Sequence, residues 1–138
     1  MATYNKIQAF VEAVAEKKHN LGSDTLTIAL TTLAEVPVAT TDAVLADINQ
    51  ISYTNLSARA ITTSTSAQSG GTYKLVLTDL VLTASGAVAT FREVVMYNDT
   101  ATNDELICWW DYGSDVTLAN TETFTIDFDA SNGVLQIA

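Results

Sequence analysis

The order of apolar and polar residues divides the chain into one helical stretch and a series of strands. Over residues 3–19, Ile7, Phe10, Val11 and Val14 recur at i, i+3, i+4 and i+7, a single apolar stripe on a helix. Thr3 suits its N-cap, and Lys17, Lys18 and His19 fall in the last turn, where cations meet the helix dipole. Asn20 or Gly22 can supply the left-handed residue that ends it. The period then changes to two. Over residues 24–33, Leu26, Ile28 and Leu30 alternate with Thr25, Thr27, Ala29 and Thr31, which predicts a strand. Residues 34–41, around Pro37, form a loop, residues 42–50 suit either a short helix or a short strand, and residues 53–56 are loop. Residues 59–68 alternate weakly, and their Ser and Thr content predicts an exposed edge strand.

Further strands are predicted at 72–82, 88–97, 105–112, 122–129 and 134–137. The turns between them carry Ser69-Gly-Gly71, Ser85-Gly86, the polar residues 98–104, Gly113-Ser-Asp115 and Asn132-Gly133, the last suited to a tight hairpin. One helix followed by strands every roughly 8–15 residues predicts a mainly β chain, with an antiparallel sandwich of jelly-roll-like type. The expected organisation is one domain over residues 1–138, with an N-terminal amphipathic helix in 1–21 and the β-sandwich in 22–138.

The most distinctive stretch is Leu106-Ile-Cys-Trp-Trp-Asp-Tyr-Gly113, which holds both tryptophans. Neighbours on a strand point to opposite faces, so Trp109 and Trp110 cannot share one core. One anchors the interior; the other lies under a loop, against another element or at a subunit contact. Trp and Tyr concentrate binding energy at interfaces. Trp109, Trp110 and Tyr112, together with Ile7, Phe10 and Val14 of the helix stripe, are therefore the expected contact residues.

Charge narrows the partners. Net charge is −10, with six Lys and Arg against sixteen Asp and Glu. Phosphate backbones and anionic membrane surfaces are held by clusters of cations, so neither is expected as a partner. The first ten residues include Asn5, Lys6 and Gln8 and have no apolar centre, so no signal peptide is expected. No apolar run approaches the ~18 residues of a membrane span. A length of 138 residues, 48% of them hydrophobic, suits a domain that needs no covalent staple. The single cysteine, Cys108, has no disulfide partner within the chain; between Ile107 and Trp109 it fits a small buried hydrophobe.

The inventory of chemistry is thin. Asp127, Asp129, Ser131 and Asn132 resemble the start of a calcium loop, but the glycine comes one place late, at Gly133, and no bidentate Glu follows. Asp111 with Glu122 or Asp115 offers carboxylates whose spacing in sequence says nothing of their separation in space. With one histidine, His19, and one cysteine, neither a histidine-based triad nor a zinc set can be assembled on ordinary lines. No catalytic residue, metal or cofactor is expected. An aromatic sugar platform of Tyr97, Trp109, Trp110 and Tyr112 stays open as a less favoured reading.

Several segments together resemble a family of small tailed-phage virion proteins. They are Tyr4-Asn-Lys-Ile-Gln-Ala-Phe-Val-Glu12, residues 19–30, Ser69-Gly-Gly-Thr-Tyr-Lys-Leu-Val-Leu77, Trp109-Trp-Asp-Tyr-Gly113, residues 118–129 and Asn132-Gly-Val-Leu135. Residues 34–60 match least. The resemblance implies a non-enzymatic structural role, foremost a head decoration (cement) protein that bridges subunits on the capsid exterior, assembled in the host cytoplasm. A tail component is the alternative. The implied partners are the major capsid protein and further copies of the chain, with a homotrimer suggested by shell symmetry alone.

Overall fold

In the computed structural model, which describes residues 2–138, the longest ladder joins β7 (Phe91–Asn98) to β8 (Leu106–Val116). These two form the middle of a five-stranded antiparallel sheet with β1 (Tyr4–Lys6), β2 (Leu26–Thr31) and β3 (Ala60–Ile61), in the order β1-β8-β7-β2-β3. A second sheet has β4 (Thr63–Ser69), β5 (Thr72–Leu77) and β10 (Leu135–Ile137), in the order β10-β5-β4. A third pairs β6 (Leu80–Thr83) with β9 (Thr123–Ile126). The one α-helix among the described residues, α1 (Ala9–Ala15), follows β1. Strand makes up 42% of the chain and helix 9%, so the fold is mainly β and antiparallel, in a single domain. The strands divide five, three and two over one shared core, a β-sandwich-like arrangement.

One core serves all three sheets. Leu26, Ile28, Leu30, Leu75, Leu82, Phe91, Met96, Leu106 and Ile107 are wholly or almost wholly buried within it. Every residue of β2 is buried, the Thr-bearing face included, because elements cover this sheet on both sides. Aromatic residues of β9 and of the segment after it pack on β7 and β8, and α1 and a 3-10 turn at Leu33–Glu35 pack against β8 and β7 respectively.

The N-terminal helix is shorter than its apolar stripe predicts. Tyr4, Asn5 and Lys6 pair with Trp110, Trp109 and Cys108, closing one edge of β8 with backbone hydrogen bonds that a helix from Thr3 would forgo. The Ile7 N–H continues the ladder to the Ile107 carbonyl at 3.1 Å. The helix ends at Ala15 and not near Asn20 or Gly22. Lys18 N–H reaches the Ala13 carbonyl at 2.8 Å, Lys17 N–H reaches Val14 at 3.2 Å, and Lys17 takes φ 63°. That is a Schellman ending with lysine in the place usually held by glycine.

Four further boundaries differ, each for a tertiary reason. The predicted edge strand 59–68 is broken at Thr62, so β3 joins the five-stranded sheet and β4 the three-stranded one. The predicted strand 72–82 is broken at Thr78 and Asp79, where the Asp79 carboxylate accepts the Phe128 N–H at 2.9 Å. No turn interrupts the chain at Gly113: β8 runs on to Val116, with Gly113 at φ 94° beside a register shift. Asn132-Gly133 does not join two paired strands, since β9 pairs with β6 and β10 with β5. Residues 42–50 contain a 3-10 turn, Leu45–Asp47, and a single bridge from Val44 to Glu105. The backbone amides of Ala43 and Val44, just ahead of the turn, donate to the Asp47 carboxylate at 2.8 and 3.0 Å.

Candidate contact surface

The β8 strand divides its two tryptophans as strand alternation requires. Trp109 is 8% exposed and opposes Val95 of β7 and Asn5 of β1. Trp110 faces the other way and is half-buried between the edges of two rings, Tyr4 at 5.8 Å and Phe128 at 6.1 Å between centroids. Tyr112, two residues on, is 53% exposed and meets Phe124 of β9 edge-on at 5.1 Å, and Phe124 in turn meets Phe91 at 5.2 Å. Tyr4, Trp110, Tyr112 and Phe124 thus form a partly exposed aromatic strip where β1 and β9 meet β8.

Of the six expected contact residues, the structure brings only Trp110 and Tyr112 to this surface. Ile7 and Phe10 are buried in the chain's own core, because β1 draws the start of the apolar stripe under the sheet; they offer nothing to a partner. Val14 is partly buried against the same core, and Trp109 is an interior anchor. Val11, the fourth member of the stripe, is the exposed one at 55%. Tyr4 and Phe124 belong to the strip and were not predicted for it. The signal for Phe124 lay in its alternation with Thr123 and Thr125; nothing local marks Tyr4 as a cross-strand neighbour of Trp110.

The other candidate chemistry is occupied by structural bonds. The Asp129 carboxylate accepts the Ser131 and Asn132 backbone N–H groups and the Asn132 amide, all at 2.8 Å, which hold it below the usual carboxylate range. Asp111 accepts two bonds from Arg92, at 2.7 and 3.0 Å, and one from Gly113 N–H at 2.6 Å; Arg92 is the main cause of its lowered pKa. Glu122 accepts the Ala119 N–H at 2.7 Å. Among the described residues, no three His, Cys, Asp or Glu side chains gather where they could hold a metal. Cys108 is buried, and burial pushes its thiol well above the ordinary range, opposite to what a nucleophile needs.

Two buried polar groups stand out instead. His19 packs on Phe10 at 5.1 Å and its Nδ1 receives the Asn98 side-chain amide at 3.0 Å. The second hydrogen of that amide goes to Asp24 at 2.6 Å, while the Asn98 oxygen accepts the Thr100 and Ala101 N–H groups. Asn98 is therefore fixed in orientation, and the neutral His19 carries its proton on Nε2. Burial lowers the His19 pKa, against the pull of Glu105 and Asp24. Glu93 of β7 is 0% exposed, and neither of its carboxylate oxygens has a hydrogen-bond partner. Its nearest cation, Arg92, stands 3.9 Å away and is committed to Asp111. Burial, and then Asp111, push Glu93 up to about 7. The sequence does hold a trace of this: Glu93 falls in phase with Phe91, Val95 and Tyr97.

Comparison with known protein families, curated proteins and solved structures finds no match, so the aromatic strip is interpreted from its own residues.

Proposed function

We propose that the protein is a non-enzymatic structural component of a tailed-phage particle, bound to the outer face of the capsid and bridging its major capsid subunits. The observation that carries the proposal is the aromatic strip of Tyr4, Trp110, Tyr112 and Phe124 on a chain of net charge −10. Partly exposed Trp and Tyr make good anchors for a protein partner, and surrounding acidity keeps free copies soluble until they dock. The resemblance of its segments to small virion proteins agrees with this role. The ring geometry weighs against the sugar-binding alternative. Tyr4 stands at 68° to Trp110 and Tyr112 at 77° to Phe124, so these rings offer edges rather than one flat stacking face.

The test is co-sedimentation of the full chain with bare capsids. The wild type pellets with the shells, and Tyr112→Ala with Trp110→Ala weakens binding about tenfold or more, as loss of aromatic anchors does. Wild-type protein that stays in the supernatant at saturating concentration removes the proposal. Co-sedimentation with tails and not heads transfers the role to the tail.

A further inference from the structure

We propose that β4 is a pairing edge for a second copy of this chain, forming an antiparallel β4–β4 ladder across a two-fold axis. Four observations meet on this strand. It is the longest open edge among the described residues, seven residues bonded to β5 alone. No backbone hydrogen bond among the described residues reaches its outer side. The other edge strands are short, β1, β3 and β10 with three, two and three residues and β6 and β9 with four each, and the stretch of β8 that runs past β1, residues 111–116, carries Asp111 and Asp115.

The strand also lacks the usual guards. Soluble proteins blunt a long edge with lysine, other charge, proline or a covering element. Thr63-Ser-Thr-Ser-Ala-Gln-Ser69 has neither charge nor proline; its one irregularity is a register shift at its start, between Thr63 and Thr65. Ser64, Thr65, Ala67, Gln68 and Ser69 are exposed.

Charge selects the occupant. All sixteen Asp and Glu lie outside residues 48–78, which carry only Arg59 and Lys74 as charged groups. Two copies of net charge −10 repel each other over most of their surface. The whole sheet β10-β5-β4 carries no Asp or Glu and only Lys74 as a charged residue, so two copies joined through β4 bring no carboxylate of this sheet against another. A two-fold axis sets the strand against itself, antiparallel, with small hydroxyl side chains facing their like. The result is one six-stranded sheet shared by two subunits. This two-fold pair takes the place of the trimer that shell symmetry alone suggests, and it stands whether or not the chain binds a capsid.

The experiment uses the full chain. Sedimentation equilibrium measures its mass against concentration, and hydrogen exchange follows the β4 amides over the same range. The wild type is expected to dimerise, with residues 63–69 gaining protection as the dimer forms. Thr65→Asp with Ala67→Asp places four carboxylates across the axis at exposed positions. It should weaken the dimer about tenfold or more with the unfolding temperature nearly unchanged. A wild type that is monomeric at its highest soluble concentration overturns the proposal, as does a dimer whose β4 amides exchange as fast as the monomer's. Protection of β4 that appears only on adding capsids also overturns it, and assigns the edge to a strand of the shell protein.

Discussion

At the scale of single residues, Lys17 shows how a local rule is met by an unusual residue. The Schellman ending of α1 needs a left-handed residue, and a lysine there carries a Cβ that glycine does not. Lys17→Gly should therefore stabilise the protein by roughly 1 kcal/mol, relief of the left-handed strain exceeding the entropy glycine adds to the unfolded chain. Urea unfolding of the two proteins checks it; an unchanged midpoint would mean that the strain is already relaxed. Gly133 is the opposite case. Its φ is 78°, and a Cβ there would stand 2.6 Å from the Leu75 carbonyl oxygen. Gly133→Ala is expected to cost about 2–4 kcal/mol, the sum of backbone strain and overpacking. Gly70→Ala, with φ 60° and nothing within 4 Å, carries only the strain. Asn-Gly is legible in the sequence as a turn. That its glycine serves close approach to β5 is not, because the approaching backbone lies 58 residues away (133 − 75).

At the scale of elements, the strands were legible where one face is wet, and the helix was legible in place but not in length. The β5 strand shows its inward Leu75 and Leu77 by alternation, and β9 its Phe124 and Ile126. Tyr4–Lys6 has no such pattern; it becomes a strand because β8 offers an edge to pair with, information held a hundred residues away. The same long-range pairing cuts 59–68 and 72–82 in two, since alternation marks a strand but not the sheet it joins. On β8 the two faces now separate function from stability. Trp109→Ala should cost about 3–5 kcal/mol, as for a large aromatic removed from a core. Tyr112→Ala, at a side chain more than half exposed, should stay within about 1 kcal/mol of the wild type while weakening particle binding. Chemical denaturation with parallel co-sedimentation separates the two. Equal losses of stability would place Tyr112 in the core, and the aromatic strip would then not be a contact surface.

At the scale of the whole molecule, stability depends on two buried ionisable groups that oppose each other. Glu93 titrates near 4.5 in the unfolded chain and about 7 in the folded one. Between those values the folded state keeps a proton that the unfolded state has released, so stability falls as pH rises through the window and the loss is complete above it. At about 1.4 kcal/mol per tenfold change in proton affinity, the effect is on the order of 3 kcal/mol. His19 works in the other direction. Its folded pKa lies below 6.5, so as pH drops under 6.5 the unfolded chain gains a proton that the folded chain refuses. A protonated Nδ1 would also face the Asn98 amide, donor against donor, and the link from His19 to Asn98 and Asp24 would open. Stability should therefore be limited by His19 on the acid side and by Glu93 on the neutral side. Glu93→Gln removes only the second limit. Its advantage over the wild type should be small near pH 5 and grow to roughly 2–3 kcal/mol near pH 8, because Gln matches the protonated carboxyl in charge and shape. Urea titrations across that range measure it. A difference that does not change with pH would mean that Glu93 ionises normally and that the Arg92 guanidinium, 3.9 Å away, compensates it despite its bond to Asp111.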